Sequence, residues 1–184
     1  MTSSCPPPSR SEIDRLCALA SVGADLASTA FGRILGGTVA YRAPRICGPA
    51  DKTDPDRWCT GIVFEADGDM TGLVAIVLPE PDRDHAVEMM VGESEPREQI
   101  VESALRELGN IIASQTVSAI ADSLGATIML SVPTLVMQDA GVVLLSLITQ
   151  RGAWIRIETD LYRPDEPLSV LLVFAPDWPK PDAL

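Results

Sequence analysis

"LRELGNIIASQTVSAIADSLGATIMLSVP" (Leu105–Pro133) decides the reading of the fold, because the chain contains the pattern twice. Laid over "LCALASVGADLASTAFGRILGGTVAYRAP" (Leu16–Pro44), it aligns without a gap at a constant offset of 89 residues. Leu16 falls on Leu105, Leu19 on Leu108, Ala24 on Ala113 and Ala30 on Ala119. Leu35-Gly36 falls on Leu124-Gly125, Thr38 on Thr127 and Pro44 on Pro133. Such a fixed-period match is the mark of an internal repeat. Each copy reads as a long amphipathic helix that stops at a glycine, followed by an extended segment ending in proline.

The flanking sequence completes each copy. Ser9-x-x-Glu12 is a capping-box start for the first helix. The second helix can start at Ser94, with Glu95, Pro96 and Glu98 in its first turn. "WCTGIVFEADGDMTGLVAIVLP" is two apolar runs around Asp67-Gly68-Asp69, a hairpin. "WIRIETDLYRPDEPLSVLLVF" is a second hairpin around a proline-rich turn. "AGVVLLSLITQR" reads as a short helix capped by Asp139, with a strand as the alternative, and "DRDHAVEMMVG" as its counterpart in the first half. The expectation is one α/β domain with an internal pseudo-twofold repeat. Two long helices pack their apolar stripes on a six-stranded β-sheet and leave their polar stripes outside. The domain spans residues 11–176, in halves of about 11–92 and 93–176. Residues 1–10 and 177–184, rich in proline, read as loose tails.

Composition narrows the function. Of 184 residues 46% are hydrophobic, enough for one sizeable core. The net charge of −12 argues against nucleic acid or an anionic membrane as a partner, since both demand basic patches. No apolar run reaches the ~18 residues of a membrane span. The N-terminus lacks the charged start and apolar core of a signal peptide, so a cytoplasmic location is expected. The four cysteines, Cys5, Cys17, Cys47 and Cys59, form no CxxC pair, and His85 is the single histidine. They read as reduced, mostly buried thiols rather than metal ligands, and no metal site is expected. His85 reads as structural or solvated; no GxSxG motif offers it a nucleophile.

The offset is most useful where the copies differ. Ser103, Glu107, Asn110 and Ser114 fall three or four residues apart, on one helical face. Their counterparts include Asp14, Ala18 and Ser21. An Asn beside Gly109 inside a helix costs about 1 kcal/mol against better formers, so something other than helix stability can select it. Gly109 itself reads as leaving room beside Asn110. The plain alternative is a solvated face on which Glu107 pairs with Arg106 or Arg97.

"LRELGNIIASQTVSAIADSLGATIMLSVP" resembles the CheC/CheX family of chemotaxis phosphatases. The family signature on a surface helix is Asp or Ser, three residues, Glu, two residues, Asn. Ser103, Glu107 and Asn110 match it in turn. "LCALASVGADLASTAFGRIL" resembles the first copy of that motif, and "FEADGDMTGLVAIVLP" the family's hairpin. The resemblance covers about residues 11–175. The departure is Ala18 and Ser21 in place of Glu and Asn, which makes Asp14, Ala18 and Ser21 a degenerate first site.

The resemblance implies hydrolysis of the phospho-aspartate of a CheY-type response regulator, with Glu107 and Asn110 catalytic and Ser103 and Ser114 contacting the partner. It implies no cofactor in this chain, the Mg2+ sitting in the phosphorylated regulator. It leaves two readings: a one-site phosphatase, or a non-catalytic module docking on a response regulator or a CheD-type deamidase. A homodimer is compatible with either.

Overall fold

The computed structural model describes residues 9–48, 51, 54–153 and 155–177. Of the segments expected as tails, residues 1–8 and 178–184 lie outside the described residues, as do Cys5 and Trp154. Helix α1 (Arg10–Leu35) opens with the expected capping box. The Ser9 amide donates to Glu12 Oε2 at 2.6 Å, and Glu12 returns its amide to Ser9 Oγ. The Ser9 hydroxyl first, and the Ser9 amide second, donate to the Glu12 carboxylate and hold that carboxyl below its usual range. The helix stops at Gly36, at φ 67°, a left-handed conformation that glycine adopts without Cβ strain. Strands β1 (Ala40–Tyr41) and β2 (Arg45–Cys47) follow, then a 3-10 turn at Pro55–Arg57, strands β3 (Thr60–Gly68) and β4 (Gly72–Leu78), and helix α2 (Glu80–Val91). The second half is α3 (Glu98–Leu124), β5 (Ile128–Leu130), β6 (Thr134–Val136), α4 (Ala140–Gln150), β7 (Arg156–Tyr162) and β8 (Ser169–Pro176). Helix α3 also ends at a left-handed glycine, Gly125.

All eight strands join one antiparallel sheet. The main path runs β1-β7-β8-β4-β3-β5, with β2 also on β7 and β6 also on β3. The sheet thus has six lanes, as expected, but each outer lane is two short strands. Pro44 and Pro133 lie at these breaks; proline has no N–H to give to a ladder. Exchanging the halves leaves the lane order unchanged, with β8 and β4 at the centre. This is the pseudo-twofold repeat. Each outer lane pairs with the hairpin of the other half: β1 and β2 on β7, β5 and β6 on β3.

Strand alternation sends side chains to both faces. One face carries Ile62, Phe64, Val74, Ile76, Ile157, Leu161, Leu172 and Phe174, and the buried stripes of α1 and α3 cover it. The other carries Val63, Leu73, Ala75, Val77, Leu171 and Val173 under Ala140, Leu144 and Ile148 of α4. Burial along the long helices follows the offset: Leu16, Leu19, Ala24, Ala30 and Phe31 are buried, as are Leu105, Leu108, Ala113, Ala119 and Ile120. Leu35 is buried, while its counterpart Leu124 is half-buried.

Four expectations need correction. Helix α3 starts at Glu98, not at Ser94, and its N-cap position is Arg97, which makes no side-chain cap. Residues 94 and 95 form a bend, because proline disfavours helical backbone in the residue before it. Asp139 precedes α4 but sits at φ 53° and makes no side-chain cap. Helix α2 is not the counterpart of α4. It follows the first hairpin and packs Ala86 and Val87 on the face that carries α1 and α3. The segment occupying the place of α4, between outer lane and hairpin, is the 3-10 turn at Pro55–Arg57. Of the described cysteines only Cys47 is buried; Cys17 and Cys59 are half-buried. Burial first, and the Glu158 charge second, push the Cys47 thiol up, which keeps it protonated.

Candidate functional site on the third helix

The inner side of α3 fixes what its outer side shows. Leu105, Leu108 and Ile112 are fully buried on the sheet and against α1. Ser103, Glu107, Asn110 and Ser114 are therefore turned outward, and all four are exposed. The structure brings together every residue assigned to the intact stripe. Glu107 and Asn110 form no side-chain hydrogen bond or ion pair among the described residues. The pairing of Glu107 with Arg106 is absent; Arg106 Nη1 donates instead to the Pro133 carbonyl at 3.0 Å. Ser114 Oγ donates to the Ile111 carbonyl at 3.2 Å, within its own helix. An anionic carboxylate and a neutral carboxamide thus stand side by side in solvent. The amide offers both donors and an acceptor, the carboxylate only acceptors.

Gly109 has a different role from the one its sequence position suggests. It is buried, facing strand β3, not the approach to Asn110. A Cβ there would lie 2.5 Å from Ile62 Cγ2. The missing side chain lets α3 sit low on the sheet, and the Glu107–Asn110 turn rides above that contact. One residue of the stripe escaped the sequence reading. Ile100 lies three residues before Ser103, in the same periodic row, and is 38% exposed. The spacing that found Ser103 extends to it; its apolar character concealed it.

The first copy carries Asp14, Ala18 and Ser21 at the matching positions, and one of the three departs from the expected outward stripe. Asp14 and Ala18 are exposed, but Ser21 is half-buried, and its Oγ donates to the Cys17 carbonyl at 2.9 Å. A Ser hydroxyl can turn back onto its own helix in this way. Val22 and Leu26, at the positions of Ile111 and Gln115, are 45% and 41% exposed. No group of three or more His, Cys, Asp or Glu side chains suited to hold a metal ion is found among the described residues. No helix among them is long and apolar enough to cross a membrane. His85 lies in α2, its Nε2 3.0 Å from Glu166 Oε2, a part-exposed pair that joins α2 to the β7–β8 turn.

Fold and stripe together define a class: an internally duplicated domain with two long helices on a six-lane sheet and one intact Ser-Glu-Asn row. The CheC-like family model matches residues 100–137, which run from α3 to the end of β6 and contain that row. The chemotaxis protein CheX from Desulfovibrio desulfuricans has a similar structure, with a TM-score of 0.66 at 14% identity over 86% of this chain and 99% of that chain. The CheX–CheY–BeF3–Mg2+ complex from Borrelia burgdorferi gives a TM-score of 0.65 at 16% identity, over 85% and 96%. Thermotoga maritima FliY gives 0.65 at 16% identity, over 92% of each chain. At these identities the structures establish the fold. The resemblance to the CheC/CheX family therefore holds on two counts, the matched segment and the architecture.

Proposed function

We propose that this chain is a phosphatase acting on the phospho-aspartate of a CheY-type response regulator, with one site on α3. The observation that carries the reading is the exposed row Ser103, Glu107 and Asn110, with Glu107 and Asn110 unengaged by other side chains, inside the segment that matches the CheC-like family. The Borrelia burgdorferi CheX structure, of the same fold, is a complex with CheY, BeF3 and Mg2+, which supports a regulator as the partner class.

The chemistry suits the residues. Hydrolysis of an acyl phosphate needs a water in line with the leaving oxygen and little covalent help. The water oxygen bonds to phosphorus as the bond to the aspartate oxygen breaks, giving inorganic phosphate and a free carboxylate. Asn110 holds that water through its carboxamide, and being neutral it does not repel the phosphoryl group. Glu107 anchors the helix by pairing with a lysine beside the partner's phosphorylated aspartate. Ser103 and Ser114 contact the partner, and the divalent metal belongs to the partner. The test is phosphate release from candidate phosphorylated regulators, with and without the chain. Asn110→Ala should abolish the stimulated release. Full release by the variant would remove the water-positioning role.

A second reading is supported by the state of the first copy. Ala18 and half-buried Ser21 cannot reproduce the Glu-Asn pair, and Val22 and Leu26 beside them are exposed apolar groups. On this reading the chain docks on a response regulator or a CheD-type deamidase without turnover. Binding of the regulator with no stimulated phosphate release would select it.

A further inference from the structure

The direction of the two long helices follows from the repeat. Strands β4 and β8 are counterparts, and they pair antiparallel. The rotation that exchanges the halves therefore reverses strand direction while keeping both helices on one face, so its axis stands normal to the sheet. Helices α1 and α3 then run antiparallel as well. Their register is set at Gly23, where an added Cβ would lie 2.9 Å from Thr116 Cγ2. Each step toward the end of α1 is matched by a step toward the start of α3, at about 1.5 Å per residue. Leu26 comes level with Ala113, Thr29 with Asn110, and Arg33 with Arg106. The C-terminal half of α1 thus flanks the stretch of α3 that carries Ser103, Glu107 and Asn110. By the same rotation the C-terminal half of α3 flanks Asp14, Ala18 and Ser21.

Leu26, Thr29 and Arg33 form an exposed row at helical spacing. Their counterparts, 89 residues on, are Gln115, Ser118 and Asp122, all exposed too. The two rows differ in chemistry. The one beside the intact site carries a leucine, 41% exposed, and a cation. The one beside the degenerate site carries a carboxamide and an anion. Arg33 forms no hydrogen bond or ion pair among the described residues. The helix dipole favours a cation in a last turn, yet α3 has Asp122 there and no basic residue, so the dipole does not dictate the choice. In a chain of net charge −12, a free guanidinium beside the Glu-Asn pair suits a partner that carries an anion. Leu26 offers the same partner an apolar contact, which keeps water from the charged contacts beside it.

We propose that Leu26, Thr29 and Arg33 complete the surface that receives a phosphorylated regulator. One regulator then spans both helices, with its phosphoryl group over α3, anionic groups on Arg33 and an apolar patch on Leu26. The inference rests on the proposed function for the class of partner, but not on turnover. Two assays on the full 184-residue chain test it side by side: binding of CheY-type regulators loaded with Mg2+ and BeF3−, and phosphate release from their phosphorylated forms. Arg33→Glu should raise the half-saturating concentration about tenfold, and Leu26→Ser about fivefold. The Arg33→Glu effect should shrink as ionic strength rises, which a folding defect would not produce. Met129→Ser is the control. Met129 is 60% exposed, on a strand whose Ile128 and Leu130 pack toward the helices, so it points to the far face and its loss should change neither assay. A wild type that binds and releases phosphate, with half-saturation unchanged in both variants, would overturn the proposal and leave the catalytic reading standing. Wild-type binding without stimulated release would remove the catalytic reading, and weaker binding by the variants would still support the docking surface. A wild type that binds none of the regulators would overturn both. Self-association of the chain that the variants abolish, with regulator binding unchanged, would place a second copy on the row and overturn the proposal as well.

Discussion

At the scale of the residue, Gly109 and Asn110 show how one helix turn serves two demands. Gly109 lies over Ile62, which is itself fully buried on a strand and cannot swing aside. Gly109→Ala gains about 1 kcal/mol of helix propensity. Overpacking against Ile62 costs about 1–3 kcal/mol. We expect overpacking to win, with a net loss of up to about 2 kcal/mol, read as a lower chemical-denaturation midpoint. An unchanged midpoint would mean that α3 lifts off the sheet without penalty. Asn110→Ala is the opposite case. An exposed change of this kind moves stability by less than about 1 kcal/mol, and upward by propensity, while activity is lost. Glu107→Ala should differ again. An ion pair that fixes register contributes to docking as well as turnover. It should raise the half-saturating concentration of phosphorylated regulator more than Asn110→Ala does. Equal half-saturation, titrated side by side, would count against the anchor role.

At the scale of the element, α1 and α3 are the same helix with different outer faces. Their buried rows match position by position from Leu16 and Leu105 to Phe31 and Ile120. The packing duty has therefore been kept while the polar row has diverged. Restoring the pair in α1, Ala18→Glu with Ser21→Asn, should cost less than about 1 kcal/mol, since Ala18 is exposed and Ser21 gives up only a bond to its own helix. Thermal unfolding of the double variant measures this. A large drop would show that Ser21 carries packing as well as polarity. A second active site is not expected from the pair alone, because Val22 and Leu26 still stand where α3 has Ile111 and Gln115.

At the scale of the whole molecule, the exchange of outer lanes ties the halves together. One such junction is charged. Arg45 on β2 donates from Nη1 to Asp160 at 2.7 Å and from Nη2 to Glu158 at 2.8 Å, both on β7. Arg156 adds a bond from Nε to Glu158 at 2.7 Å. Both carboxylates are nearly buried, while the Arg45 side chain is 49% exposed. Arg45→Ala leaves Asp160 in the sheet without that partner. Removing one member of a buried pair costs about 3–5 kcal/mol; half-exposure of Arg45 lowers the expectation to roughly 2–4. Replacing Arg45 by Met together with Asp160 by Leu should recover part of the loss, since Asp160 is then no longer a stranded charge and Glu158 keeps its bond from Arg156. Failure to recover, by denaturant unfolding, would mean that the shape of the site matters more than its charge.

The sequence by itself determined the duplication, the two glycine stops, both hairpins and the outward row Ser103, Glu107, Asn110 and Ser114. All of these are local signals: periodicity, turn chemistry and backbone freedom act within a few residues. Tertiary structure decided what depends on a partner distant in the chain. The lane exchange is one such feature, since a short strand before or after Pro44 does not specify which hairpin it joins. The role of Gly109 is another, because nothing near it in sequence indicates Ile62 beneath. The place of α2 is a third. Its short apolar run, Ala86-Val87 and Met89 to Val91, does not itself specify which face of the sheet it covers.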